Sequence, residues 1–281
     1  MQSQKKFPRT FSFEYFPPHT PEGQEKLRVT TQQLAQLKPK FFSVTYGAGG
    51  STRERTLGTV LEIRAMGQAA APHISCVAST KASIREWLQR YKDQGIRHIV
   101  ALRGDLPSGL AAAGEFRFAN ELVAFIRQEF NDTFQIEVAA YPEFHPQAKS
   151  AQDDLAAFKR KIEAGADSAI TQYFYNADAY YRFVDECEAM GLDIPIVPGV
   201  MPIGRFSQLA RFSDACGAEI PRWIRRKLEG YGDDTASIRA FGLDVVTALC
   251  DDLLRHGAPG LHFYTLNQAA LTTTIWQRLG L

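Results

Sequence analysis

The sequence predicts an α/β protein, a single (β/α)8 TIM barrel with extra helices before the last strand. Short runs rich in aromatic and β-branched residues alternate with longer stretches of helical spacing. Strands that alternate with helices pair in parallel through right-handed crossovers. The alternation occurs eight times within 281 residues, which favours a closed barrel over an open sheet. An open doubly wound sheet is the alternative fold.

Eight apolar runs are predicted to be strands. They are Phe11–Phe16, Phe41–Tyr46, Pro72–Val77, His98–Leu102, Ile136–Tyr141, Ser168–Phe174, Ile194–Pro198 and Leu261–Thr265. The helices predicted to follow them are Glu22–Leu37, Thr52–Met66, Ala82–Gln94, Phe118–Phe130, Ala151–Ala164, Ala177–Met190, Phe206–Ala215 and Leu271–Leu279. Two extra helices, Pro221–Leu228 and Thr235–His256, precede the last strand.

Residues at the predicted helix ends support these boundaries. Gly95, Gly165 and Gly191 each follow a helix, where glycine readily takes the left-handed conformation that ends one. Ser150 and Asn176 stand just before helices, where a side-chain oxygen accepts hydrogen bonds from free backbone N–H groups. No linker, low-complexity tract or composition break divides the chain. We therefore expect one domain over residues 1–281.

Composition excludes several classes of protein. Hydrophobic residues make up 45% and charged residues 22%, which is ordinary for a globular protein and excludes a disordered chain. Lys and Arg number 32 and Asp and Glu 31, so no overall charge attracts nucleic acid or anionic lipid. No apolar run is long enough to span a bilayer, and residues 1–10 lack the apolar stretch of a signal peptide. The four cysteines include no C-x-x-C pair, which favours free thiols in a reducing cytosol.

Glu14 is the first candidate for catalysis, because active sites of such barrels lie where strands end and the following loops begin. It shares one face of an aromatic strand with Ser12. Burial raises the pKa of a carboxyl group, and a raised pKa suits a general acid near neutral pH. The structural alternative is a Glu14 that is paired with a buried Arg or Lys.

Other polar residues lie at or near predicted strand ends. Arg103 and Asp105 alternate onto one face, and a loop ion pair is their structural alternative. His73 and His145 do not form a metal-binding spacing such as H-E-x-x-H, and we predict no metal site. No lysine stands at the end of a strand, which counts against a Schiff-base aldolase. The remaining candidates are Tyr141, Gln172, His262 and Tyr264.

Two nucleotide-binding motifs are excluded. Gly47, Gly49 and Gly50 lie after the second strand, and such a loop lets the backbone approach a ligand closely. Thr52 occupies the third glycine position of a dinucleotide fingerprint, and no acidic residue lies at the distance of a ribose partner. The chain also lacks a G-x-x-x-x-G-K-[ST] P-loop.

The helix after the fifth strand carries a polar stripe. Asp154, Ala157, Arg160 and Lys161 have offsets of 0, 3, 6 and 7, so they share one face. The basic pair could bind phosphates. A solvated face of ion pairs is the alternative.

Several motifs together resemble the methylenetetrahydrofolate reductase family in its short bacterial form. The resemblance covers nearly the whole chain, from Phe11 to about Leu279. The motifs that carry it, in order, are Phe13–Pro18, Lys38–Ala48, Ala71–His73, Gly95–Pro107, Ala140–Glu143 with His145 and Pro146, Ile170–Gln172 and His262–Asn267.

The resemblance implies a barrel that contains FAD and reduces 5,10-methylenetetrahydrofolate to 5-methyltetrahydrofolate with NADH or NADPH. In the family, hydride passes from nicotinamide to flavin, the first product leaves, and the folate enters the same face. The resemblance also implies a cytoplasmic homo-oligomer of one-carbon and methionine metabolism that has no partner in nucleic acid or membrane. A regulatory domain that binds S-adenosylmethionine is not expected.

Matching by motif implies roles for individual residues. Glu14 matches the general acid that protonates folate N10 and opens the five-membered ring to a 5-iminium cation. Asp105 matches a carboxylate that stabilises this cation and also contacts the flavin. The implied substrate contacts are Asp105, Gln172, Gln208, Phe212 and Gln268. At Gln268 the bacterial pattern has Arg, which weakens any ionic contact with the glutamate tail of the folate, although Gln can still form a hydrogen bond.

The same matching implies a set of cofactor contacts. Thr45 falls in the loop that contacts the nicotinamide. The implied flavin contacts are Tyr46, Ala48, His73, Arg103, Gly104, Asp105, Ala119, Tyr141, His145, Ala148, Asp154, Ala157, Arg160 and Lys161.

Three alternatives stay open. A non-redox barrel lyase or aldolase would be colourless and need a metal or a strand-end lysine. A barrel that binds flavin or folate without catalysis is disfavoured by intact Glu14, Asp105 and Gln172. A reductase fed by a partner electron-transfer subunit is weakly disfavoured by Thr45 and Phe212.

Overall fold

The computed structural model describes residues 1–46, 51–104 and 114–281, without the side chains of Ser51 and Thr52. Within this part, the strands are β1 Thr10–Tyr15, β2 Phe41–Val44, β3 Ala70–Ser75, β4 His98–Leu102, β5 Gln135–Ala140, β6 Ser168–Thr171, β7 Ile196–Val197, β8 Gly199–Val200 and β9 Gly260–Tyr264. The α-helices are α1 Pro21–Ala35, α2 Ser51–Ala65, α3 Lys81–Asp93, α4 Ala119–Phe130, α5 Ala151–Glu163, α6 Ala177–Ala189, α7 Phe206–Cys216, α8 Arg222–Gly230, α9 Thr235–His256 and α10 Ala270–Arg278. Short 3-10 helices span Gln2–Lys6 and Asn131–Thr133.

All strand pairings are parallel, and they close into a barrel. Neighbouring strands follow chain order from β1 to β7, and β9 pairs with both β1 and β8. Pro198 alone separates β7 from β8, so these two short strands occupy one position in the circle. The structure thus confirms the predicted eight-position α/β barrel, with helices α8 and α9 preceding the last strand.

Pro198 explains why the seventh strand differs from its prediction. The sequence predicted Ile194–Pro198, whereas β7 pairs with β6 through Ile196 and Val197, and β8 pairs with β9 through Gly199 and Val200. Proline has no N–H to continue a ladder. Its carbonyl instead accepts a hydrogen bond of 2.9 Å from the His262 N–H. The chain therefore changes neighbour at the proline.

The apolar core lies between the strands and the helices. Phe13 is fully buried, with its ring 5.8 Å from those of Phe42 and Phe263 and 5.9 Å from that of Trp276. A smaller apolar cluster of Phe41, Ala71, Val100 and Ile170 packs separately from this layer. Because successive residues of a strand face opposite sides, the small cluster fills the barrel lumen.

The C-terminal end of helix α7 contacts the loops that follow β5 and β6, at the barrel mouth where the strands finish. The Ser213 hydroxyl is 3.0 Å from that of Tyr173, which follows β6. The Glu219 N–H, beyond the helix, donates to Glu143 after β5 at 2.8 Å. Helix α9 instead packs beside α6 and α10 in the outer ring. No helix of the described ranges is long and apolar enough to cross a membrane.

Phe13→Ala is expected to lower the free energy of unfolding by about 3–5 kcal/mol, because it removes an aromatic side chain from a closed core. The measurement is urea denaturation followed by circular dichroism. Val29→Ala on α1 is the control, since Val29 is 41% exposed, and we expect a change within about 0.5 kcal/mol. Equal losses in the two variants would contradict this description of the core.

Candidate functional site

Glu14 lies near the end of β1, within reach of two imidazoles. Its Oε2 atom is 3.3 Å from Nε2 of His73 and 3.4 Å from Nε2 of His262. The Ser43 hydroxyl donates to the same oxygen at 3.4 Å. The Glu14 side chain is 15% exposed, so this carboxylate is mostly buried but still meets the mouth.

His262 is held from its other side. Its Nδ1 atom is 2.7 Å from the Ser12 hydroxyl, and both residues are buried. The contact follows from the pairing of β1 with β9, because Ser12 and His262 are partners in the ladder. Glu14 lies two residues after Ser12 on the same face, so one imidazole reaches both side chains.

The structure corrects the expected titration of Glu14. Burial alone would raise the pKa of this carboxyl group, as the sequence predicted. The charge of His73, together with the hydrogen bond and charge of His262, outweighs that effect and lowers the pKa of Glu14 to about 2. The residue is therefore a carboxylate in the ligand-free protein, and its partners are histidines, not the Arg or Lys of the alternative.

A second cluster joins five predicted cofactor contacts through one further residue, Gln147. The guanidinium of Arg103 donates to the side-chain oxygen of Gln147, whose N–H donates to Nδ1 of His145 at 3.0 Å. The His145 N–H donates to the carboxylate of Asp154 at 3.0 Å, and its ring lies 4.7 Å from that of Tyr141. Lys161 interacts electrostatically with the same Asp154.

The cations in and beside this second cluster lack salt bridges in the part of the chain that the structure describes. Arg103, Arg160 and Lys161 form no salt bridge within residues 1–46, 51–104 and 114–281. The Lys161 ammonium donates to the Ala139 carbonyl. Burial lowers the pKa of Lys161 to about 8, although Asp154 partly offsets this effect. The arrangement is suited to an anionic group.

Other predicted cofactor contacts lie around the mouth. Gly104 has φ +87°, and a Cβ there would collide with the Ser75 hydroxyl. The Tyr46 hydroxyl accepts a hydrogen bond of 2.5 Å from Arg53. The Thr45 N–H donates to Tyr15 at 2.8 Å. Ala119, Ala148 and Ala157 are partly exposed, at the start of α4, in the loop after β5 and on α5 respectively.

The predicted substrate contacts in the described residues lie after β6, on α7 and before α10. Gln172 directly follows β6, and its side-chain oxygen accepts from the Tyr173 N–H at 3.0 Å. Gln208 and Phe212 are one turn apart on α7, and both are partly exposed. Gln268 is exposed just before α10. Within the described residues, no hydrogen bond or ion pair joins the Gln208 or Gln268 side chain to Glu14.

Two predicted residues, Ala48 and Asp105, lie outside the described residues. Within those ranges no group of three His, Cys, Asp or Glu side chains is arranged to hold a metal ion.

Sequence reasoning missed Gln147 and Arg53, and it missed one connection between residues that it did name. It did not connect Ser12 and His262 with Glu14, although the closed barrel makes the first and last strands neighbours. It also missed Gln147, two residues after His145. Arg53 donates to the hydroxyls of Tyr46, Ser79 and Ser83 and had no sequence signal.

The low pKa of Glu14 has a measurable consequence. Its ordinary value is 4.5, so the carboxylate stabilises the fold above that pH, and the contribution is lost as the pH falls towards 2. We predict that Glu14 remains ionised just below pH 4.5. The infrared difference between wild type and Glu14→Gln reports the carboxylate band during acidification. A protonation midpoint at or above the ordinary value would contradict the assigned contacts.

Comparisons of the whole chain point to one family. The sequence model described as Methylenetetrahydrofolate reductase matches residues 1–280. The chain is 42% identical to 5,10-methylenetetrahydrofolate reductase of Escherichia coli K12, over 96% of this chain and 90% of that protein. Its identity with the enzyme of the same name from Pectobacterium carotovorum is 43%, over 96% and 89% of the two chains.

A plant relative and a solved structure extend the comparison. Methylenetetrahydrofolate reductase (NADH) 1 of Arabidopsis thaliana is 37% identical over 96% of this chain, which spans 48% of that longer protein. A solved Clostridium thermocellum protein, described as binding two copies of 5-methyl-5,6,7,8-tetrahydrofolic acid, has a TM-score of 0.68 and 16% identity. The match covers 99% of this chain and 96% of that one, and it supports the barrel fold.

The family model covers almost the full length, and the bacterial relatives match nearly end to end at over 40% identity. Together with a carboxylate at the mouth of a closed barrel, these matches show that the chain belongs to the methylenetetrahydrofolate reductase family.

Proposed function

We propose that this chain is an FAD-dependent enzyme that reduces 5,10-methylenetetrahydrofolate to 5-methyltetrahydrofolate, with NADH or NADPH as reductant in a ping-pong sequence. The observation that carries the proposal is the Glu14 carboxylate between two imidazoles at the mouth of a barrel of this family. The solved Clostridium thermocellum protein of the same fold is described as binding a methylated tetrahydrofolate, which agrees with the proposed product.

The chain's own residues fit FAD. A flavin dinucleotide carries a diphosphate, and Arg103, Arg160 and Lys161 are cations without a salt bridge in the described ranges. Arginine forks and ammonium groups are the usual protein partners of phosphate. The collision that a Cβ at Gly104 would meet shows a tightly packed backbone at this end of β4. Arg103, Arg160 and Lys161 would therefore hold the diphosphate, and Tyr141 and His145 would lie beside the cofactor.

When bound, FAD supplies two-electron chemistry, accepting hydride from the nicotinamide and donating it to the folate. The protein's task is then to open the five-membered ring of the substrate. In our proposal a proton from Glu14 goes to N10, the C–N10 bond breaks, and a 5-iminium cation forms on the folate. The carboxylate that remains stabilises this cation electrostatically.

The proton must reach Glu14 from its neighbours, since the carboxyl group is ionised before the substrate binds. His73 and His262 each place Nε2 within 3.4 Å of the receiving oxygen. Ser12 holds Nδ1 of His262 at 2.7 Å and so orients that ring. We propose that the transferable proton is shared within this Glu–His cluster. Binding of the folate then excludes water and raises the pKa of Glu14.

The remaining predicted residues would orient the two substrates. Gln172 offers an amide at the end of β6, and Phe212 on α7 offers a ring for stacking on the bound ligand. Gln208, one turn before Phe212, would donate to the folate. Asp105 keeps its proposed role as a second negative charge near the cation. The plant relative's name includes NADH, which agrees with a nicotinamide reductant without choosing between the two forms.

Anaerobic visible spectroscopy of the purified holoenzyme tests the proposal. We expect a flavin absorption band that bleaches with NADH or NADPH and returns on addition of methylenetetrahydrofolate. A band that ignores both nicotinamides would indicate an electron-transfer partner as donor. A protein that shows no flavin band after incubation with FAD would contradict the proposal and favour a non-redox barrel.

Glu14→Gln separates the two half-reactions. We expect it to abolish reoxidation by the folate, because Gln cannot donate the proton, and to leave reduction by the nicotinamide nearly intact. Stopped-flow absorbance measures both rates. Glu22→Gln on the exposed start of α1 is the control and should retain both. Equal loss of the two half-reactions in Glu14→Gln would contradict its role.

Lys161→Gln tests the cofactor site through binding alone. We expect FAD affinity to fall about tenfold or more, since a charge-assisted hydrogen bond is lost from a mostly buried position. Recovery of flavin fluorescence on dilution measures the dissociation constant. Lys159→Gln is the matched control on the same helix, because Lys159 faces Glu163 at 3.6 Å. If both variants bind FAD equally well, Lys161 is not a phosphate partner.

A further inference from the structure

The strand that carries Glu14 loses its neighbour on one side just where the carboxylate lies. The ladder between β1 and β9 ends with the pair Glu14 and Tyr264. Pro17 and Pro18 follow soon after and have no N–H groups with which to continue it. The backbone from Glu14 to Phe16 therefore needs other hydrogen-bond partners on the β9 side.

Thr265 and Asn267, here called the β1 clasp, supply those partners from the turn after β9. The Asn267 Oδ1 atom accepts from the Phe16 N–H at 3.0 Å, and its Nδ2 atom donates to the Phe16 carbonyl at 2.9 Å. The Thr265 hydroxyl donates to the Glu14 carbonyl at 2.7 Å and accepts from the Asn267 N–H at 3.2 Å. Side chains thus continue the pairing of β1 where the backbone ladder stops.

The turn that presents Asn267 has an unusual backbone. Leu266 and Asn267 have φ of +52° and +58°, in the left-handed region that residues other than glycine seldom adopt. Asparagine visits this region more readily than leucine does, so the turn is costly at Leu266. The Thr30 hydroxyl on α1 donates to the Asn267 carbonyl at 3.3 Å and helps to hold the turn. Such conformations persist where their surroundings impose them, and they concentrate at functional sites.

Glu14 has little tolerance for movement. Its Oε2 atom lies 3.3 Å from His73 and 3.4 Å from His262, and both histidines are buried on other strands. These distances are already at the long end of the range for hydrogen bonds. A small displacement of the Glu14 backbone would therefore separate the carboxylate from its two imidazoles.

We propose that Asn267 is a positioning residue for Glu14, which it holds in place together with Thr265 through the backbone at the end of β1. This inference rests on the proposed function, which assigns proton transfer to Glu14. The β1 clasp fixes the backbone on the β9 side of the carboxylate, and the histidines then contact a group that is already in place. A group held in its reactive position before the substrate binds lowers the cost of reaching the transition state.

Asn267→Gly tests the proposal in the holoenzyme, because glycine keeps the left-handed turn and removes only the side chain. We expect reoxidation of the flavin by methylenetetrahydrofolate to slow by about tenfold or more, and reduction by the nicotinamide to stay nearly unchanged. Stopped-flow absorbance measures both rates. Thr265→Val removes the other half of the β1 clasp and should shift the two rates in the same way. Asn131→Gly is the matched control, since Asn131 also has a positive φ of +48° but lies before β5, at the end of the barrel opposite the mouth.

Infrared spectroscopy gives a second measurement that needs no turnover. His73 from β3 and His262 from β9 lower the pKa of Glu14, so loosening the β1 clasp should raise the protonation midpoint of the carboxylate. We expect a rise of about one pH unit or more in Asn267→Gly, measured as the difference from the same variant carrying Glu14→Gln. Asn131→Gly should keep the wild-type midpoint.

Three results in Asn267→Gly would each overturn the proposal. They are an unchanged rate with the folate, an unchanged midpoint of the Glu14 carboxylate, and equal slowing of the two half-reactions, which would indicate a general effect on the fold. A wild-type enzyme whose flavin the folate does not reoxidise would instead contradict the proposed function. The infrared midpoint would then decide by itself whether Asn267 positions Glu14.

Discussion

The pairing of β1 with β9 is the contact on which the candidate site depends. It joins residues about 250 positions apart in the chain and closes the barrel, so that Ser12 meets His262 in the ladder. Closure then places both His262 and His73 on the same carboxylate oxygen of Glu14. An open sheet would leave β1 without β9 as its neighbour, and Glu14 would lack one of its two imidazoles.

Closing the barrel buries carboxylates, and histidines in the lumen compensate for the hydration that these carboxylates lose. A buried carboxylate is expensive unless hydrogen bonds and opposite charge compensate its lost hydration. Glu14 is compensated near the mouth, and Glu137 faces His98 at 3.0 Å further down the lumen. Phe11 and Phe13 of β1 point the other way, towards Trp276 of α10. Polar and apolar side chains therefore alternate between the two faces of β1, which lets one strand serve both stability and chemistry.

Local patterns were enough to predict the helices and most strands, because strand and helix periodicity and capping residues act over a few positions. The Ser150 hydroxyl accepts from the Asp153 N–H, as its place before a helix predicted. The pattern could not predict that Pro198 divides a strand between two neighbours, since that depends on where the partner strands lie. The predicted direction of the Glu14 pKa shift was wrong because it also depends on residues of other strands. Burial could be inferred from β1 alone, but the two histidines come from β3 and β9.

The charged side chains are paired unevenly over the molecule, which the formal net charge does not reveal. A formal charge of +1 gave no reason to expect an anionic ligand. Ion pairs nevertheless neutralise many of the cations on the outer helices, such as Arg127 with Asp167 and Arg278 with Asp244. Among the described residues, Arg103 and Lys161 of the second cluster and several cations on α7 and α8 form no salt bridge. The net charge therefore does not describe the local potential, which depends on which charges lack partners. A dinucleotide diphosphate and a carboxylate-bearing folate are both anionic. In the proposed function, Arg103 and Lys161 would attract the anionic cofactor to the end of the barrel at which Glu14 lies.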